Sequence, residues 1–416
     1  MPLTIATVNV NGIRAAVKKR HEDNLGMLPW LEETSADVVL LQEVRSTDDQ
    51  ARAALAPALE AGWHWVGAEN ELAKGRAGVG ILSRAELDDV RVGFGSDEFD
   101  RMGRYISGVL RAADSGIAED VRIASLYLPS GSAKTEKQDE KYRFLDAFSG
   151  HLAELGASGR DGAHAVIGGD WNICHREQDL KNWRTNRTKS GFLPQERAWM
   201  DSVFGTFPDE APQASRVNAS ARELAAGVFT DGTAWAAPEV NDDPVWFDVT
   251  RRLHPDADGP WSWWTYRGQA FDTDAGWRID YQAATKPMLE RAVTAIVEKP
   301  SAYDRRWTDH APVIVEYRER RSPPGRRTAV PAATATATVT VAAGWPEGRA
   351  GQSAFPIVRR IPSTTASAMR ARPSADPRTV LSAESLMLPN STSAFGLVDR
   401  FSPVKSARRS IPPSPR

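Results

Sequence analysis

LTIATVNVNG, residues 3–12, is the stretch on which the fold turns. Leu3, Ile5, Val8 and Val10 alternate with Thr4 and Thr7 in a β-rich run that stops at Asn11–Gly12, a pair suited to a turn. Eight more runs of this kind follow, at Asp37–Leu41, Trp63–Gly67, Gly78–Leu82, Tyr105–Leu110, Val121–Leu128, Ala163–Ile167, Arg278–Ala283 and Ala311–Tyr317. Helical patterns are fewer, at Leu25–Glu33, Glu136–Leu155 and Pro194–Phe204, the last opened by a proline that suits a first helical turn. Many strands with few long helices predict an α/β fold in which two sheets pack face to face with helices outside.

The chain has 416 residues, room for one large α/β domain with an appendage or for two domains. With 41% hydrophobic and 25% charged residues it can bury a sizeable core. No run approaches the roughly 18 to 20 apolar residues of a membrane span, so no membrane partner is expected. The opening MPLTIATVNVNG shows no signal-peptide pattern. One cysteine, Cys174, excludes an internal disulfide and fits a reducing compartment, with the cytoplasm expected.

Character changes along the chain. Residues 207–247 are loop-like and rich in Pro, Ala, Asn and Asp, which predicts an insertion. From about Ser322 onward the composition is Pro/Ala/Ser/Thr-rich, and residues 321–416 hold 13 of the 27 prolines. That tail carries a balance of +10 against −12 for residues 1–320. A folded body over 1–320 and a disordered basic tail over 321–416 are therefore expected.

Several strand ends deliver polar residues. Asn9 and Asn11 stand in TVNVNG, Glu43 in VVLLQE, Asp170 and Asn172 in AVIGGDWN, and Asp309 in TDHAP. Carboxylates and amides at the ends of rigid elements suit a hard cation such as magnesium. Taken singly, each is equally an ordinary turn residue beside glycine. His310 precedes an apolar run and can donate to a phosphate oxygen or exchange a proton. Asp280, inside WRIDYQAA, is costly to bury without a partner, and pairing with His310 would satisfy both.

The order of the segments is more specific than any one of them. TVNVNGIR, LLQEVR, GVGILSR, SLYLPSG, GGDWN, GFLPQERAWMD, SWWTYR, GWRIDY and TDHAP together resemble the exodeoxyribonuclease III and abasic-site endonuclease family of the endonuclease/exonuclease/phosphatase superfamily. The resemblance covers about residues 1–318, apart from the insertion. It implies a deoxyribonuclease I-like four-layer α/β sandwich, two mainly antiparallel sheets flanked by helices. It also implies hydrolysis of DNA phosphodiester bonds with Mg2+, for which Mn2+ can substitute, on double-stranded DNA with abasic sites or 3′ ends.

Carried over residue by residue, the resemblance makes Glu43 the principal metal ligand. Asn9, Asn11 and Asp309 complete or support the metal shell. Asp170 orients or deprotonates the attacking water beside Asn172, and Tyr127 lies near the scissile phosphate. His310, held by Asp280, stabilises charge on the phosphate oxygens; Asp170, Asn172 and His310 are also counted as candidate ligands. Trp263, Trp277 and Ile279 are placed at the pocket for a base-free sugar, where a missing base makes unstacking cheapest. Arg14, Arg45 and Asn186 match or adjoin positions that contact the DNA backbone, and KNWRTNRTK (181–189) reads as a phosphate-binding loop. Arg45 stands where some relatives have lysine, and Asn11 where some have aspartate. A net-acidic body does not exclude DNA, since a local basic face decides binding. A phosphodiesterase of the superfamily acting on RNA or phospholipid is the alternative reading, and a non-catalytic DNA-binding protein a third. A monomeric, bacterial-type enzyme, associated with the nucleoid through DNA, is expected.

Overall fold

The computed structural model describes residues 2–160, 163–211 and 226–319. The opening run forms β1 (Leu3–Asn9), buried along its whole length. It is flanked on both sides, by β2 (Val38–Gln42) in parallel and β14 (Val313–Tyr317) antiparallel. With β3 (His64–Ala68), β4 (Val79–Ser83) and β13 (Ala292–Val297) these make a six-stranded sheet ordered β13-β14-β1-β2-β4-β3. A second six-stranded sheet joins β5 (Asp88–Val92), β6 (Tyr105–Leu110), β7 (Val121–Tyr127), β8 (His164–Asp170), β11 (Trp246–Asp248) and β12 (Asp280–Thr285) in the order β11-β12-β8-β7-β6-β5.

Each sheet has one parallel pair at its centre, β1 with β2 and β7 with β8; the other neighbours are antiparallel. The carboxyl ends of four strands therefore meet at one end of the molecule. There β12 and β14, running the other way, begin. Between the sheets lie Leu3, Ile5, Leu40, Ile123, Val166 and Val315, all fully buried. The outer face of the first sheet is covered by the helices Met27–Glu33 and Asp48–Glu60, that of the second by Glu136–Arg160 and Pro194–Phe204. The result is four layers, as the family resemblance implies. Burying each of these aliphatic side chains contributes roughly 1.5–3 kcal/mol. Gly168 and Gly169 make the close packing possible: a Cβ would lie 2.4 Å from Leu40 Cδ1 at the first and 2.0 Å from the Leu126 carbonyl oxygen at the second.

The nine expected strands all form, and two kinds of element were not anticipated. β5, with the sequence DDVRV, and β13 are largely exposed edge strands, so they lack the buried face that periodicity detects. The helix Asp48–Glu60 starts with a Thr47–Gln50 capping box, a signal present in the sequence. The loop-like reading of 207–247 needs correction over its described part. β9 (Ala226–Val228) and β10 (Ala234–Ala236) form a hairpin, and Trp235 stacks on Tyr142 with ring centroids 4.4 Å apart. Trp246 is buried in the core, and its strand β11 closes the edge of the second sheet. The expected disordered tail, 321–416, lies outside the described residues. No described helix is long and apolar enough to cross a membrane.

Candidate active site

Two strand ends are built alike. After β1, the Asn11 amide N–H donates to Asn9 Oδ1 (2.9 Å); after β8, the Asn172 amide N–H donates to Asp170 Oδ1 (2.9 Å). Both turns end on a left-handed residue, with φ 49° at Asn11 and 53° at Asn172. Asparagine tolerates that conformation because its short amide bonds locally. Turn chemistry and site chemistry are thus the same residues here. Glu43 and Arg45 are also left-handed, with φ 50° and 51°, a conformation that costs such residues roughly 1–2 kcal/mol each.

These turns bring the expected residues together. The Asn9 amide donates to Glu43 Oε1 (3.1 Å) and to Asp170 Oδ2 (2.9 Å), so one neutral NH2 group bridges two carboxylates from different sheets. The Tyr127 hydroxyl donates to Glu43 Oε1 (2.6 Å). The Arg45 guanidinium lies against the same carboxylate. Asn11 Nδ2 donates to Asp309 Oδ1 (2.8 Å) and Trp263 Nε1 to Asp309 Oδ2 (3.0 Å). Asn172 Nδ2 donates to the Leu128 carbonyl (2.8 Å) and to Asp170 Oδ2 (3.2 Å). Thr308, passed over inside TDHAP, donates its hydroxyl to the Asn9 carbonyl (2.8 Å) and ties the turn before β14 to the end of its neighbour β1.

Behind them Asp280 Oδ2 pairs with His310 Nδ1 at 2.9 Å, as expected from the sequence, while His310 Nε2 lies 3.9 Å from Asp170 Oδ2. Asp170, Asp280 and His310 are 1%, 0% and 5% exposed, so their charges are shielded from solvent. Burial disfavours the imidazolium, but the charge and hydrogen bond of Asp280, with Asp170 and Asp309 beyond, outweigh it and push His310 up to about 10. Burial pushes Asp170 upward and the charge of Asp280 adds to it, with His310 opposing. Burial also works against ionised Asp309, yet His310, Trp263 and Asn11 hold its carboxyl below the usual range. Burial and then the nearby charges of Glu43 and Asp170 push Tyr127 well above its ordinary value, so it remains a donor.

The donor set fits a hard cation. Glu43, Asp170, Asp280 and Asp309 converge, and the buried Asp280 Oδ1 takes no hydrogen bond among the described residues. Asp170, Asp280 and His310 offer ligand atoms all within 4.8 Å of one another.

Beside this cluster Trp263 and Trp277 meet edge-to-face at 5.7 Å, with Ile279 buried behind them. Trp264, by contrast, is core. Arg14 is exposed on the short helix Ile13–Ala16. Asn186 is turned inward, 8% exposed, with its amide donating to the Asn182 carbonyl (2.8 Å). It shapes the basic loop, whose Arg184 and Arg187 pack on Trp183 at 4.3 and 5.0 Å. On the Glu43 side a cleft of about 530 Å³ opens between Tyr127, Arg45, Arg76, Arg104 and Lys137. Cys174 is fully buried, and burial pushes its thiol far up, consistent with packing rather than reactivity.

Carboxylates, amides and one imidazole at the shared end of two stacked sheets are the arrangement of the endonuclease/exonuclease/phosphatase family, to which the chain belongs over residues 6–310. Among individual proteins, it is 29% identical over 306 residues to an exodeoxyribonuclease of Bacillus subtilis (strain 168), covering 73% of this chain and 95% of that protein. It is 26% identical over 314 residues to the DNA repair nuclease APEX1 of Danio rerio, covering 75% and 81%. The structure of an AP endonuclease from Archaeoglobus fulgidus superposes with a TM-score of 0.54 at 25% identity, over 76% of this chain and 99% of the other.

Proposed function

We propose that the protein is a DNA repair nuclease, a phosphodiesterase that incises duplex DNA 5′ of abasic sites and removes nucleotides or blocking groups from 3′ ends. The observation that carries this is the Asn9 bridge between Glu43 and Asp170, set beside the Asp280–His310 pair and the edge-to-face tryptophans Trp263 and Trp277. The relatives named above support DNA as the substrate. The basic loop and the arginine-lined cleft supply a cationic rim on either side of the cluster.

In this reading Asp170 accepts a proton from a water as that water attacks phosphorus in line with the leaving 3′-oxygen. The P–O3′ bond breaks, leaving a 5′-phosphate on one fragment and a 3′-hydroxyl, protonated from solvent, on the other. His310 donates from Nε2 to a phosphate oxygen as negative charge builds there, and Asp280 keeps the ring charged and oriented. Tyr127 adds a hydroxyl next to Glu43. Glu43, Asp309 and Asn9, with Asn11 and Asn172 in support, would hold Mg2+ or Mn2+, which supplies Lewis-acid charge neutralisation at the phosphoryl and leaving oxygens. A charged His310 already donating to Asp280 has no lone pair for a metal, so it serves as donor rather than ligand. Trp263, Trp277 and Ile279 wall a pocket for a base-free sugar, and Arg14 and Arg45 contact the backbone. We propose further that residues 1–320 act alone as a monomer in the cytoplasm, with the basic tail dispensable for incision. Assay of the purified protein on one abasic duplex and one intact blunt duplex, with and without magnesium, tests the reading. No magnesium-dependent cleavage of either would refute it.

A further inference from the structure

Lys141 and Glu196 form an ion pair 2.7 Å apart with both side chains fully buried, and nothing in the reaction above uses either. Lys141 sits on the inward face of the helix Glu136–Arg160, along the stripe that includes Gln138, Leu145, Phe148 and Leu152. A charge placed there is costly unless its hydrogen bonds are satisfied. The ammonium has three protons and three acceptors: Glu196 Oε1, the Asn172 carbonyl at 3.1 Å and the Ser130 carbonyl at 3.4 Å. Glu196 accepts in turn from the Gly191 and Leu193 amides (2.7 and 3.0 Å), the Ser190 hydroxyl (3.0 Å) and Gln138 Nε2 (3.1 Å).

One ion pair thus holds three segments: the Asn172 turn after β8, the Ser130 turn after Tyr127, and residues 190–193 that close the basic loop. Gly191 fits tightly between two of the parts concerned, since a Cβ there would stand 3.0 Å from the Trp277 ring and 3.1 Å from the Asn172 carbonyl oxygen. Asn172 is left-handed, and its backbone and side-chain N–H groups both hold the Asp170 carboxylate. We propose that Lys141 and Glu196 are positioning residues that lock the Asp170–Asn172 turn in register with the DNA-holding loop. The inference rests on the role given to Asp170 above. It predicts an effect on the chemical step, because displacing a water-orienting group by about 1 Å can cost on the order of 100-fold in rate.

The test compares four forms of the full-length protein: wild type, the double variant Lys141→Met/Glu196→Gln, Glu196→Asp, and Asp170→Asn. Single-turnover incision of an abasic duplex, duplex affinity and thermal melting are measured on each. The double variant leaves no unpaired buried charge, so its melting temperature should stay near wild type. Its single-turnover rate should fall about 10- to 100-fold, with duplex affinity changed less than about threefold. A wild-type rate in a folded double variant overturns the proposal, as does a loss that vanishes on cooling to a temperature where the variant is fully folded. If the double variant does not fold, Glu196→Asp decides: both charges remain, the link is one methylene shorter, and a wild-type rate would again overturn the proposal. Asp170→Asn separates the two levels. An active Asp170→Asn protein removes the reading on which the inference rests, whereas an inactive one beside a fast double variant removes the inference alone.

Discussion

Replacing Asp280 by asparagine removes the charge that keeps His310 protonated while leaving an oxygen able to accept from Nδ1. The two groups are 2.9 Å apart. At an effective dielectric constant of about 20, unit charges at that distance interact by on the order of 6 kcal/mol, and half of that would move an ionisation by about 2 units. His310, held up to about 10 in the native protein, should therefore titrate at least about 2 units lower in Asp280→Asn. Asp170 should move the same way, because the charge of Asp280 also raises its carboxyl. The proposed mechanism needs Asp170 ionised and His310 charged, so both limbs of the pH–rate profile should shift toward acid. Single-turnover incision between pH 5.5 and 10 should show wild type still active where the variant has declined on the alkaline side. At neutral pH, where the variant keeps His310 largely charged and Asp170 more readily ionised, the loss should be far smaller than that from removing the imidazole. Stability provides an independent reading. A pKa raised from 6.5 to about 10 gives stability that is fully present below pH 6.5 and lost as pH rises toward 10. Denaturant melts of wild type should weaken across that window, and those of the variant should weaken less. An unchanged alkaline limb together with an unchanged stability slope would refute the reasoning.

Chelation should abolish cleavage and magnesium restore it, with Glu43→Gln impaired more at low magnesium than at high; full activity in excess chelator would exclude the metal reading. Asp170→Asn and His310→Asn should each slow the single-turnover step by about 100-fold or more while leaving abasic-duplex binding intact, and a near wild-type rate in either would reject its assigned role. Truncation after about Arg321 should leave a folded, active enzyme, because every matched motif precedes that point. The salt dependence of duplex binding should coincide with that of the full chain if the tail is inert, and should be shallower in the truncated form if its arginines tether DNA.

The strand ends were legible because apolar β-rich runs have a period, and because a buried strand that stops at Asn, Asp or Glu announces a turn or a site. Asp280 with His310 was legible for a related reason: a carboxylate inside a strand requires a partner. β5, β11, β13 and the β9–β10 hairpin were not, since short or exposed strands lack a long buried face to set the pattern. Lys141 left a trace, a lysine on the inward stripe of a long helix, but nothing near it in the chain names Glu196 as its partner.

What the sequence determined by itself was nine of the strands, the two-sheet class and the residue types available for chemistry, all of which follow from local periodicity and turn preference. Tertiary structure decided which of those residues meet. Asp280 faces Asp170 only because β12 pairs with β8 in that register, and Asn9 reaches both Glu43 and Asp170 only because the sheets stack with their parallel pairs aligned. Asn186 shows the converse, a residue that the resemblance sets at or beside a DNA-contacting position and whose amide is turned inward to the Asn182 carbonyl of its own loop. Register and stacking are set by the summed burial of many distant side chains, so no local stretch of sequence encodes them.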